Sequence, residues 1–160
     1  MEFTNLSTGD FNECLWDFGD NGTSDVCEDP SHTYNKAGSY TIGLTVKGAS
    51  GENTMTKTGY ITVYEPVKAD FSVSPTSGVP PIEVFFENLS TGNYDTCKWD
   101  LGGGLGSDVC NDPSVIYTEE NHYTVSLTVK GAGGEDTKTV ENCINVGYQR
   151  IFLPGVMGKK

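Results

Sequence analysis

Basic residues are scarce in this chain. Ten Lys and Arg stand against 22 Asp and Glu in 160 residues, a formal net charge of −12. Such a surface does not neutralise a run of phosphates, so nucleic acid is excluded as the expected partner. The same imbalance is repelled by anionic lipid and suits solubility, cation binding or a basic partner. No apolar run approaches the eighteen or so residues of a membrane-spanning helix, so no membrane span is expected. No basic segment followed by an apolar core opens the chain, so an exported protein is read here as a mature chain or a fragment, with Met1 natural or added. Histidine occurs only twice, and no long stretch rich in Ala, Glu, Lys, Leu and Arg marks a helix. What is plentiful is glycine, with 20 residues, and aromatics, with eight Tyr and seven Phe. That balance favours short strands and tight turns, hence an all-β chain of one or two domains, each with a small core.

An internal repeat decides between one domain and two. A shift of 83 positions brings Phe3-Thr4-Asn5-Leu6-Ser7-Thr8-Gly9 onto Phe86-Glu87-Asn88-Leu89-Ser90-Thr91-Gly92, and the match runs on without a gap. Cys14, Trp16 and Asp17 meet Cys97, Trp99 and Asp100; Ser24-Asp25-Val26-Cys27 meets Ser107-Asp108-Val109-Cys110; Leu44-Thr45-Val46-Lys47-Gly48 meets Leu127-Thr128-Val129-Lys130-Gly131. The expected organisation is a first domain over residues 1–64, a second over 65–146, and a tail over 147–160. Within each copy, Tyr40, Ile42, Leu44 and Val46 alternate with polar or small residues, as do Tyr123, Val125, Leu127 and Val129. This is the period of a half-buried strand. Trp16 and Phe18, like Trp99 and Leu101, share one strand face and are expected in the core. Further strands are expected at 56–63, 83–88 and 137–146.

These residues also carry a family resemblance. Trp16-Asp17-Phe18-Gly19-Asp20, then His32-Thr33-Tyr34, then Gly38-Ser39-Tyr40-Thr41 leading into Leu44-Thr45-Val46 resembles the PKD domain signature. The second copy is similar through Ala69-Asp70-Phe71-Ser72-Val73-Ser74-Pro75, the Pro80-Pro81 turn and Trp99-Asp100-Leu101-Gly102, over residues 69–146. It departs where Phe18, Asp20 and His32 become Leu101, Gly103 and Val115. The resemblance implies two tandem immunoglobulin-like, PKD-type β-sandwich domains, seven-stranded, serving spacing, adhesion or binding on the outside of a cell.

Cys14 and Cys27 lie thirteen residues apart, and so do Cys97 and Cys110. Of the three connectivities open to four cysteines, only pairing within each copy lets each domain fold alone. A disulfide closing such a loop contributes roughly 3 kcal/mol in the chain-entropy model and points to an oxidising, extracellular or cell-surface location. Cys143 has no counterpart, its place in the first copy being Tyr60. Asn5, Asn21 and Asn88 each head an Asn-x-Ser/Thr pattern and are candidate glycosylation sites. For Asn5 and Asn88 the competing reading is a polar residue ending a strand, whereas Asn21, in an Asp-Asn-Gly turn, is the best exposed candidate.

Acidic residues gather between the strands. Asp20, Asp25, Asp29, Asp108 and Asp112 are read first as a solvated rim or turn caps, and second as calcium ligands, because their spacing matches no calcium-loop pattern. No other cofactor is expected. His32 and His122 occupy different places in the two copies, no glycine-rich phosphate loop fits, and no carboxylate pair stands out, so the chain is not expected to be an enzyme.

The second copy begins with residues 69–73, but the first begins at the equivalent of about Val84 and lacks that opening strand. After Val146 the chain adds an apolar tail in which Tyr148, Arg150, Ile151, Phe152 and Leu153 form a candidate donor strand. Either Ile151 and Leu153 or Tyr148, Arg150 and Phe152 would face the core. A deficit at one end facing a surplus at the other predicts head-to-tail self-association by strand addition, giving an extracellular filament. The alternatives are folding of the tail back onto its own first domain, and a non-catalytic spacer, adhesion or carbohydrate- or protein-binding region of a larger secreted enzyme, with a surface glycan or protein as ligand.

Overall fold

The computed structural model describes residues 1–148. Two compact units result, Met1–Glu65 and Pro66–Lys160, and every regular element among the described residues is a β-strand.

The first unit is built on one sheet. Strands β1 (Glu13–Asp17), β2 (Thr23–Ser24), β3 (Gly38–Gly48) and β4 (Gly51–Val63) lie in the order β2-β1-β3-β4. Strands β3 and β4 form a hairpin closed at Gly48↔Gly51 by the two-residue turn Ala49-Ser50, and Gly51, the residue after the turn, takes a positive φ. Both hairpin strands extend beyond the periodic apolar stretch: β4 starts at Gly51 rather than near residue 56. Its early residues alternate between polar side chains on both faces, so periodicity alone does not reveal them.

The second unit has two sheets. Strands β5 (Phe71–Ser74), β7 (Ile82–Asn88) and β10 (Ser114–Tyr117) form a three-stranded layer in the order β10-β7-β5. Strands β6 (Ser77–Gly78), β8 (Thr96–Gly102), β9 (Leu105–Ser107), β11 (Asn121–Gly131) and β12 (Gly134–Val146) form the other, in the order β6-β12-β11-β8-β9. Between the layers, Val84, Phe86, Trp99, Leu101, Leu127 and Ile144 are all but sealed from solvent. Tyr117 joins them and donates its hydroxyl to the Leu101 carbonyl at 2.6 Å. Burial pushes its pKa up to about 12.

The repeat seen in the sequence recurs in individual contacts. Trp16 and Trp99 donate their indole N–H to the carbonyls of Val26 and Val109 at 3.1 and 3.2 Å. Disulfides join Cys14 to Cys27 and Cys97 to Cys110. Each long hairpin carries one bulge, between Tyr40 and Ile42 and between Tyr123 and Val125.

The first unit departs more deeply from the second than the loss of one opening strand. The layer that β5, β7 and β10 make in the second unit is reduced in the first to an isolated bridge, Glu2↔Ser31. That bridge is the counterpart of Ser114↔Phe85 in the second unit. Among the described residues the opening segment of the first unit holds this single ladder position.

Candidate functional site

The reduced layer leaves the first unit's sheet uncovered on its apolar side. In the second unit Val125, Leu127 and Val129 are 0% exposed; in the first, Ile42 is 5% exposed and Leu44 and Val46 are only half-buried. Phe3 from the opening segment covers part of this face, with its ring 5.9 Å from Trp16 and 5.0 Å from Phe18. The remainder is a groove of about 1280 Å³ lined by Trp16, Ile42, Leu44, Val46, Met55 and Ile61, together with Phe3 and Leu6. Met55 and Tyr60 are 63% and 56% exposed.

The candidate donor segment falls largely outside the described residues: Arg150, Ile151, Phe152 and Leu153 lie beyond them, and Tyr148, which is described, is exposed.

The asparagines that carry the Asn-x-Ser pattern are held in place. Asn5 donates its side-chain amide to the Cys27 carbonyl at 2.8 Å and accepts from the Ser7 N–H at 2.9 Å. Asn88 does the same with Cys110 and Ser90, both at 3.0 Å. Each therefore clamps its own segment to the carbonyl of the second cysteine of its disulfide, through the nitrogen that a glycan would modify. Asn21 is exposed at positive φ in its turn and makes no such bond. The signal for the clamp was in the repeat, since Asn5 and Asn88 recur while Asn21 falls opposite Gly104.

The acidic residues do not converge. Asp29 and Asp112 accept the backbone N–H of Asn5 and Asn88 at 3.1 and 2.9 Å, and Asp25 and Asp108 point into solvent. Among the described residues no three His, Cys, Asp or Glu side chains are grouped to hold a metal ion. Asp20 stands apart, 2.9 Å from His32 Nε2 and accepting the Gly22 N–H at 2.9 Å. The His32 hydrogen bond holds its carboxyl below the usual range, partly offset by burial. The His32 ring lies flat on Phe18 at 4.2 Å and edge-on to Tyr34 at 4.7 Å. This arrangement fixes the segment that carries the Glu2↔Ser31 bridge. His122 is exposed and takes no matching part. Cys143 is a half-buried free thiol whose pKa burial pushes up.

Comparison with known proteins matches residues 1–63 to one model of the PKD domain and residues 68–144 to another. Collagenase ColA of Bacillus cereus is 32% identical over 159 residues, an alignment that takes in 72% of this chain and 16% of the collagenase. The chain thus spans a small part of that relative's length. Among solved structures, the amphioxus IgVJ-C2 molecule is 12% identical at a TM-score of 0.49, with 90% of this chain and 96% of that one covered. The N-terminal four Ig domains of Dscam1 isoform 6.44 are 14% identical at a TM-score of 0.42, covering 84% of this chain and 37% of that one.

Proposed function

Since the chain belongs to the PKD domain family, with two such immunoglobulin-like domains in tandem, we propose that it is a non-catalytic, extracellular part of a larger secreted or surface-attached protein whose first unit accepts a β-strand from a neighbouring molecule. The observation that carries this reading is the uncovered apolar face of β1, β3 and β4. The second unit displays the same face under three strands. Covering Leu44, Val46, Met55 and Ile61 would remove four partly exposed apolar side chains from water, each contributing about 1 kcal/mol, and backbone pairing adds direction and register.

The donor is the tail, through Tyr148, Arg150, Ile151, Phe152 and Leu153. A tail at one end and an acceptor at the other form a heterologous contact that does not close, so assembly runs on into a filament. The extracellular assignment rests on the two disulfides and on the collagenase relative. A non-catalytic role fits a chain whose histidines differ in place and partner between the repeats.

The kinship with a part of a collagenase supports a second reading, a monomeric spacer or a module that binds protein or carbohydrate beside a catalytic domain. Light scattering over a concentration series and electron microscopy separate the two. Assembly is expected from the full chain and not from a variant carrying Ile151→Asp and Leu153→Asp. If both chains stay monomeric at every concentration, strand donation between molecules is wrong and the spacer reading stands.

A further inference from the structure

The two units differ most where a covering strand begins. In the second unit, β5 is fastened to β12 by side chains. Asp136 accepts the Ala69 N–H at 2.8 Å, and Lys138 donates to the Asp70 carboxylate at 2.5 Å and to the Phe71 carbonyl at 3.3 Å. Lys138 also lies 5.0 Å from the centre of the Phe71 ring. Asp136 and Lys138 project from the core-facing side of β12, opposite Val129 and Leu127. Their equivalents in the first unit are Asn53 and Met55, opposite Val46 and Leu44 on β4, and both line the groove. The cation on that side of β4 is Lys57, two residues further along and 4.4 Å over the Tyr60 ring.

A carboxylate brought in at the Asp70 position, which is 42% exposed in the second unit, would therefore lie against a thioether without the ammonium that receives it there. Resting on the strand-accepting reading above, we infer that the groove rejects a strand with an acid at this position and takes the segment Arg150-Ile151-Phe152-Leu153 of a second copy, with Ile151 and Leu153 standing in for Phe71 and Val73. The register follows from the second unit, where Phe71 pairs with Asn88 and Val73 with Phe86. Ile151 then lies opposite Asn5 and Leu153 opposite Phe3. Arg150 takes the Asp70 position, where its methylene stem runs along Met55 and its charged head stays in water. Pro154 ends the strand one residue earlier than Pro75 follows β5. Met55 thus sets specificity, and exchange of β5 itself between copies is disfavoured.

Two fluorescent peptides test this by anisotropy, one with the sequence of residues 148–155 and one with that of residues 68–75. The acceptor is the full chain carrying Ile151→Asp and Leu153→Asp, which keeps its groove free of neighbours. The tail peptide is expected to bind about threefold more tightly than the β5 peptide, the scale of one lost, partly exposed ion pair. Introducing Asp70→Leu in the β5 peptide should close most of that gap, and Met55→Lys with Asn53→Asp in the acceptor should reverse the preference. Equal or tighter binding of the unmodified β5 peptide overturns the inference, as does an Asp70→Leu peptide no better than its parent. Binding of neither peptide removes the strand-accepting reading itself, and the selectivity with it.

Discussion

Replacing Asn88 by Ala removes one side chain and strands two backbone groups. The Cys110 carbonyl loses its donor and the Ser90 N–H loses its acceptor, each now bonded at 3.0 Å in a partly buried setting. An unpaired backbone group at such a site costs about 1 to 1.5 kcal/mol, so the pair amounts to about 2–3 kcal/mol. A domain of this size has roughly 5–15 kcal/mol in total. With about 4–8 °C of melting temperature per kcal/mol in domains of 60–100 residues, the second unit should melt roughly 10–20 °C lower. The experiment is differential scanning calorimetry of the full chain, with the two transitions assigned by Asn5→Ala, which should lower the first unit's transition alone. Asn88→Asp should do no better than Asn88→Ala, because it keeps the acceptor for Ser90 but aims a carboxylate at the Cys110 carbonyl. A shift below about 2 °C for Asn88→Ala, or equal shifts of both transitions, would refute the clamp.

Two predictions concern pH. Asp20 has a carboxyl pKa lowered from 3.8 by the His32 hydrogen bond, so its contribution is present above that value and is lost as the pH falls through the lower, folded one. Thermal unfolding of the first unit should therefore become acid-sensitive below about pH 4, and His32→Val, which copies the second unit, should flatten that dependence; an unchanged profile would remove the pair's role. Tyr117 behaves in the opposite sense: raised from 10.0 to about 12 by burial, it favours the folded state below pH 10 and ceases to do so as the pH climbs to about 12. Tyr117→Phe should abolish that alkaline loss in the second unit while leaving the Leu101 carbonyl unpaired, and an alkaline midpoint that fails to move would contradict the assignment.

Much of the fold was legible because the repeat is gapless. A single shift carried the Trp, Cys and alternating apolar positions from one copy to the other, and alternation identified Ile42, Leu44, Val125 and Leu127 as core-facing. The disulfide partners followed from the same shift. The starts of β4 and β12 were hidden by polar residues on both faces, Glu52, Asn53 and Thr54 in one and Glu135, Asp136 and Thr137 in the other. The clamps at Asn5 and Asn88 look in sequence like any glycosylation pattern, and only their bonds across 22 residues to Cys27 and Cys110 separate them from Asn21. The uncovered groove was anticipated as one absent strand. Its full extent depends on β7 and β10 needing β5 and each other to form a layer, a cooperative property that no single residue announces.

The fastening of β5 along β12 also has a mechanical meaning. The segment holding β5 and β6 is bonded lengthwise to residues 136–147, from Ala69 with Asp136 and Asp70 with Lys138 to Thr76 with Asn145 and Gly78 with Gly147. The segment holding β5 and β6 runs the same way as β12, and β6 pairs with it in parallel. A pull on the two ends of the second unit therefore slides these segments past each other and loads all the bonds together, instead of peeling them one at a time. The first unit has Asn53 and Met55 in place of the side chains that fasten β5, so under tension it is the weaker link until another strand lies across it.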